Sequence, residues 1–228
     1  MPVEIIPSLL TQSEEEFLHQ YNAVKHSVSC IQIDIADGEF VPNKTWADPG
    51  IIKDQVEIDI ELHLMVMHPR EEMERWKHVR QVKRALVHYE SIYNSVNKTL
   101  AVIEGYCWQK SLVLNPDTPI QVIDAYADQL FGIMFMGVNP GFQGQKLIPS
   151  VIKNISIIKK KYPHLFLEID GGVNEQTIPD LMRAGVDAIC PGSAIFKNDR
   201  TPKENVEKIQ NQMVQLTKTK LGFSIKES

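Results

Sequence analysis

Short apolar runs rich in strand-forming residues recur eight times along the chain, at residues 3–7, 30–35, 58–65, 84–88, 111–114, 131–136, 165–170 and 188–191. The segments between them carry helical spacing instead of hairpin turns. Strands that alternate with helices pair in parallel, because a parallel partner needs a long crossover connection. Eight such units in 228 residues predict one closed (β/α)₈ barrel, an α/β fold over residues 1–217, followed by a polar tail at 218–228. A doubly wound open sheet is the alternative, and it offers no reason for polar residues at so many strand ends.

The helix signals agree with this alternation. Phe17, Leu18, Tyr21 and Val24 share one helical face. Val206, Ile209, Met213 and Leu216 share another, after "TPKE", where Thr201 can cap, Pro202 fits the first helical position and Glu204 completes a capping box. Asn174 is placed to cap a helix through Ile178, Leu181 and Met182, and Gly185 to end it.

Composition narrows the function. A formal charge of -5 gives no general basic field, and the lysine run at residues 159–161 reads as the wet end of a helix, so no nucleic-acid partner is expected. Cys30, Cys107 and Cys190 are far apart and form no CxxC pair, which argues against a disulfide framework and a structural zinc site and for the reducing cytoplasm. No apolar run reaches membrane-spanning length, and no leader pattern opens the chain, so no membrane partner is expected.

Chemistry-bearing residues gather at the strand ends. In "IQIDIADGEFVPN", Ile31, Ile33 and Ile35 face one way and Gln32, Asp34 and Ala36 the other. A lone buried carboxylate is costly unless paired or coordinated, so Asp34 needs a use. His63 and Asp170 stand at the ends of two further strands, with Glu61 and Glu168 two residues upstream on the same faces. Barrels of this kind host catalysis at those ends, and titratable groups on three separate strands point to one site. The loops "NPGFQGQ" (139–145), "DGG" (170–172) and "PGSAIF" (191–196) follow the last three strands. Glycines there let backbone N–H groups approach an anion, so Gly141, Gly144, Gly171, Gly172, Gly192 and Ser193 are candidate phosphate contacts.

"PSLL" (7–10), "IDIADGEFVPN" (33–43), "LHLMV" (62–66), "HYE" (88–90), "LVLNPDTP" (112–119), "VNPGFQGQ" (138–145), "EIDGGV" (168–173) and "GSAIF" (192–196), in this order, resemble the ribulose-phosphate 3-epimerase family. The resemblance implies a ribulose-phosphate-binding barrel and an isomerase of the pentose phosphate pathway that interconverts D-ribulose 5-phosphate and D-xylulose 5-phosphate at C3. It implies Asp34 and Asp170 as the catalytic pair, and Asp34, His63 and Asp170 as ligands of one divalent metal ion (Zn, Fe, Mn or Mg). Ser8 and His63 match substrate-contacting positions, Met65 and Met136 apolar residues that shield the reacting carbon. The substrate is then a phosphorylated ketose, and a homo-oligomer is expected on the same ground. His88 reads equally as core or pocket.

The departures from the family pattern concern this site. Gln32 stands where the pattern has a histidine ligand, and a neutral amide oxygen suits harder cations better than zinc or iron. Glu61 replaces the usual aspartate and is expected to reach the metal or Gln32. Ala36 and Gly137 replace larger residues, which suggests a reshaped pocket and, as an alternative, a longer ketose phosphate as substrate. Gln143 replaces a common glycine. A further alternative is a catalytically weak homologue that binds sugar phosphate.

Overall fold

The computed structural model describes residues 2–220. Its strands are β1 (Glu4–Ile5), β2 (Ser8–Leu9), β3 (Cys30–Ala36), β4 (Asp59–Met65), β5 (Val82–His88), β6 (Gln109–Leu114), β7 (Gly132–Met136), β8 (Phe166–Asp170) and β9 (Ala188–Cys190). All pair in parallel, in the order β1-β9-β8-β7-β6-β5-β4-β3-β2. The two ends of that order are one stretch of chain. Only Ile6 and Pro7 separate β1 from β2; the Ile6 amide donates to Ile189 O at 3.0 Å, and the Gln32 amide to Pro7 O at 2.9 Å. The nine strands therefore form the eight staves of a closed barrel, as the alternation predicts.

The helices α1 (Glu14–Val24), α2 (Pro49–Gln55), α3 (Pro69–Trp76), α4 (Tyr89–Ile92), α5 (Val96–Gly105), α6 (Pro149–Lys161), α7 (Ile178–Ala184), α8 (Ser193–Phe196) and α9 (Pro202–Lys220) lie between and after the strands. The crossover between β6 and β7 has only two 3₁₀ turns, Ile120–Ala125 and Ala127–Gln129, in the segment headed by Pro116 and Pro119, neither of which can donate a backbone N–H. The capping box is present: Thr201 N donates to Glu204 Oε2 at 2.9 Å, and Glu204 N to Thr201 Oγ1 at 3.3 Å. α7 starts later than the sequence suggests. Asn174 caps a tight turn through Gln176 N and Thr177 N, and Thr177 takes the N-cap position. Gly185 ends α7 in the left-handed conformation, φ 96°. α9 continues to Lys220, past the expected boundary at 217; residues 221–228 of the expected tail lie outside the described residues.

Two main apolar cores result, with a small third cluster of Ala36, Val41 and Met65. The outward faces of the strands, including Ile31, Ile33 and Ile35, pack against the helices in one continuous cluster, each such side chain contributing roughly 1.5–3 kcal/mol by leaving water. Inside the barrel a smaller plug of Ile6, Leu86, Val113, Met134, Met136, Ala188 and Cys190 fills the axis. The alternation that sends the isoleucines of β3 outward sends Gln32, Asp34 and Ala36 inward, and this places the site.

Candidate active site and metal centre

Register brings the polar residues together. β3 and β4 align Gln32 with Glu61 and Asp34 with His63, while β8 carries Asp170 opposite Met136 of β7 and Cys190 of β9. Across the barrel mouth, His63 Nδ1 lies 2.8 Å from Asp34 Oδ1 and 3.3 Å from Asp170 Oδ2. Gln32 Nε2 donates to Asp34 Oδ1 at 2.7 Å and to Asp170 Oδ2 at 2.9 Å, and stands 3.3 Å from His63 Nδ1. All four side chains are buried.

The charges follow from that burial. Desolvation raises the Asp34 carboxyl above its usual range, and the neighbouring Asp170 charge raises it further, against hydrogen bonds from His63 and Gln32. For His63 burial disfavours the imidazolium, but hydrogen bonds to Asp170 and Asp34 outweigh it and push the pKa up to about 9. His88 behaves oppositely. Its Nε2 sits 3.0 Å from His63 Nε2, and burial, with the His63 charge, lowers its pKa to about 4. A neutral His88 accepts from the His63 Nε2–H and directs its Nδ1 toward Glu90 Oε2 at 3.4 Å. Glu90 in turn accepts from Asn115 N at 2.9 Å and from the Thr118 hydroxyl. His88 is thus the support of the His63 ring, which resolves the choice left open for it in the sequence.

One ligand atom each from Asp34, His63 and Asp170 lies within 4.8 Å of the others, all buried. Two carboxylates and an imidazole are a donor set that suits a divalent cation, so these residues could hold a metal ion. Gln32 turns its nitrogen to that spot, and an amide nitrogen has no lone pair to offer; its Oε1 is buried without a partner.

Beneath this layer lies another. Arg84 Nη1 donates to Glu61 Oε2 at 2.7 Å and to Glu168 Oε1 at 2.6 Å, and the guanidinium packs over the rings of Phe131 and Phe166 at 4.7 and 4.6 Å. Burial raises Glu61 well above the usual carboxylate range, with the Glu168 charge adding to it. Burial brings Glu168 to about 7 even against the Arg84 charge. The expectation that Glu61 reaches the metal site or Gln32 is therefore overturned: its carboxylate is engaged downward by Arg84, and the hydrogen bonds of Gln32 all go to the upper layer. Although Glu61, Glu168 and Cys190 are also close enough to share an ion, Arg84 already supplies the cation there.

Above the aspartates one pocket opens. Ser8, Met65 and Met136 line its wall with Asp34 and Asp170; Gly141 and Gly144, Gly171 and Gly172, and Gly192 and Ser193 line the other end. His63 lies beneath it, fully buried. The glycines serve different ends. A Cβ at Gly172 would come within 2.6 Å of the Leu147 backbone, and one at Gly171 within 2.5 Å of Val138 Cγ2, so both are required for one loop to pack on another. A Cβ at Gly192 would instead meet Gln143 Nε2 at 2.2 Å and Ser8 Oγ at 2.8 Å, inside the pocket itself.

The expected enlargement of the pocket is absent at Gly137. A Cβ there would meet Gly171 O at 2.1 Å and Leu147 Cδ1 at 2.7 Å, so the space is filled by the next loop. Ala36 packs with Val41, Met65 and Phe40. Sequence reading missed Arg84 and the support that Asn43 gives the 139–145 loop through its Nδ2 bond to Gly141 O at 2.9 Å; the only signal for Arg84 was its place on an inward face.

The model of the ribulose-phosphate 3 epimerase family matches residues 4–196. The chain belongs to that family. It is 33% identical over 212 residues to ribulose-phosphate 3-epimerase of Bacillus subtilis (strain 168), covering 87% of this chain and 94% of that one. To the enzyme of the same name from Chlamydia muridarum (strain MoPn / Nigg) it is 32% identical over 201 residues, 84% of this chain and 87% of the other. Among solved structures, 3-hexulose-6-phosphate synthase from Salmonella typhimurium superposes with a TM-score of 0.73 at 14% identity, covering 94% of this chain and all of the other, a likeness of fold. Among the described residues no helix is long and apolar enough to cross a membrane.

Proposed function

We propose that this chain is a ribulose-phosphate 3-epimerase, interconverting D-ribulose 5-phosphate and D-xylulose 5-phosphate by proton transfer at C3. Family membership supports the reaction class. The observation that carries the mechanism is the pair of buried carboxylates, Asp34 and Asp170, on strands separated in the ring by the first strand and β9, beneath one pocket. Inverting a carbon beside a carbonyl requires a base on one face and an acid on the other. One aspartate takes the C3 proton and the other returns a proton from the opposite side. Burial raises the Asp34 pKa and so makes that carboxylate a better proton acceptor.

Asp34, His63 and Asp170 would hold a divalent metal ion, which when bound supplies Lewis-acid stabilisation of the negative charge on the substrate oxygens. The oxygen-rich donor set favours manganese or magnesium over zinc or iron. Met65 and Met136, buried at 1% and 3% exposure, keep water from the reacting carbon. The loops bearing Gly141 and Gly144, Gly171 and Gly172, and Gly192 and Ser193 bind the phosphate through backbone N–H groups, and Ser8 contacts the sugar.

Proton NMR of D-ribulose 5-phosphate in deuterated water tests this. Deuterium is expected to enter C3 as D-xylulose 5-phosphate appears, and D34N or D170N is expected to lower turnover roughly 10²- to 10⁴-fold. Tight binding of the sugar phosphate without exchange, with manganese, magnesium, zinc or iron restored, would instead identify a binder or another substrate.

A further inference from the structure

Gln32 is fully buried, and the two ends of its amide are treated unequally. Both hydrogens of Nε2 are used, toward Asp34 Oδ1 at 2.7 Å and Asp170 Oδ2 at 2.9 Å, whereas Oε1 is buried with no partner at all. An unpaired buried carbonyl costs free energy and needs an explanation. The explanation lies in what faces the amide. Two carboxylates converge on one point, and without a metal ion they require donors there, which the nitrogen end supplies beside His63 Nδ1.

The two ends of a primary amide are nearly the same size, and a half-turn about the last side-chain torsion exchanges them within one cavity. The exchange leaves the nitrogen end unpaired in place of the oxygen, so it becomes favourable only when a positive charge between the aspartates rewards an acceptor. We propose that Gln32 is a two-faced positioning residue, whose Nε2 holds Asp34 and Asp170 together in the metal-free protein and whose Oε1 turns inward as a neutral ligand when a divalent cation binds Asp34, His63 and Asp170. The inference rests on the reading of those three residues as metal ligands. It explains how a glutamine serves where the family pattern has histidine: an amide oxygen is a hard donor, selecting manganese or magnesium, and an imidazole in its place favours zinc.

The test uses the full chain, chelated and then titrated, with no substrate present. The Gln32 side-chain NH₂ signals, assigned by their loss in Q32H, are expected to be hydrogen-bonded and slow to exchange in the chelated protein, and to lose both properties on adding magnesium. Calorimetry with manganese is expected to give an affinity roughly 10- to 100-fold lower for Q32L. Q32H is expected to shift the manganese-to-zinc affinity ratio toward zinc by about tenfold or more. Manganese binding as tightly to Q32L as to the native chain, NH₂ signals indifferent to magnesium, or no metal bound by the native chain would each overturn the proposal. Should Q32L fail to fold, the native NH₂ signals and the Q32H ratio decide alone. Absence of turnover on ketose phosphates with these metal readouts as expected would count against the epimerase and leave the role of Gln32 standing.

Discussion

His63 is the residue on which the site's electrostatics turn, and its pH dependence can be worked out. In the metal-free protein its pKa is about 9, against an ordinary 6.5, so the folded state holds a proton that the unfolded chain releases. That contribution is fully present below pH 6.5 and is lost as pH rises through 9, on the order of 3 kcal/mol for a buried group shifted this far. His88, at about 4, acts in the opposite sense, adding stability as pH rises from 4 to 6.5, and so leaves the higher window to His63. Urea unfolding of the chelated protein between pH 6 and 9.5 is expected to show falling stability that flattens in H63Q; an equal slope in the variant would contradict this account. At this scale the sequence was most legible where a residue broke the pattern of its strand. Asp34, His63 and Asp170 stood out because titratable groups on inward faces demand partners. Arg84 did not, because an arginine after Val82 and Lys83 reads as an exposed strand start, and its bonds to Glu61 and Glu168 depend on barrel closure.

At the level of elements, β4, β5 and β8 are tied by that ionic layer. β4 and β5 pair directly, with a register shift at Ile60 and Glu61 that sets Glu61 against Arg84; β8 lies across the barrel and is reached through Glu168 and the Phe166 ring. Removing the arginine leaves two carboxyls buried without a cation, at a cost of roughly 3–5 kcal/mol. In R84M both carboxyls hold protons more tightly when folded than when unfolded, so the folded state binds the excess and stability falls as pH rises. The deficit of R84M is therefore expected to be smaller at pH 5 than at pH 8, as measured by urea unfolding. E61L and E168M added to R84M are expected to recover most of it, since a buried ion pair can be replaced by apolar packing at little cost. A pH-independent deficit would assign the loss to the stacking of Arg84 on Phe131 and Phe166. The elements themselves were readable from hydrophobic period. What was not readable was where the chain spends a turn before committing to a helix, as from Asn174 to Thr177, where the Asn174 side chain holds Gln176 N and Thr177 N in a turn of its own before Thr177 becomes the N-cap.

For the whole molecule, the decisive feature is the seam. The first stave is divided between two neighbours, β1 on β9 and β2 on β3, and the Ser8 amide reaches Pro191 O at a long 3.3 Å. Ser8 also lines the pocket, facing Gly192 and Ser193 from the last strand's loop. A phosphorylated ligand held between them therefore bridges the seam, and its binding energy acts on barrel closure as well as on the local loops. Anything that binds only the folded state stabilises it by about 2.7 kcal/mol at 100 times its dissociation constant. If the phosphate sits where proposed, that stabilisation should be visible first in the amides that close the ring. Hydrogen exchange with and without saturating D-ribulose 5-phosphate is expected to slow most at Ile6 and Ser8, with smaller effects at the β4–β5 pairing, where global unfolding already governs exchange. Protection that rises equally everywhere would mean that closure is not a separate step. Protection confined to residues 139–145 would place the phosphate on one loop, and the barrel would then hold together without its ligand's help.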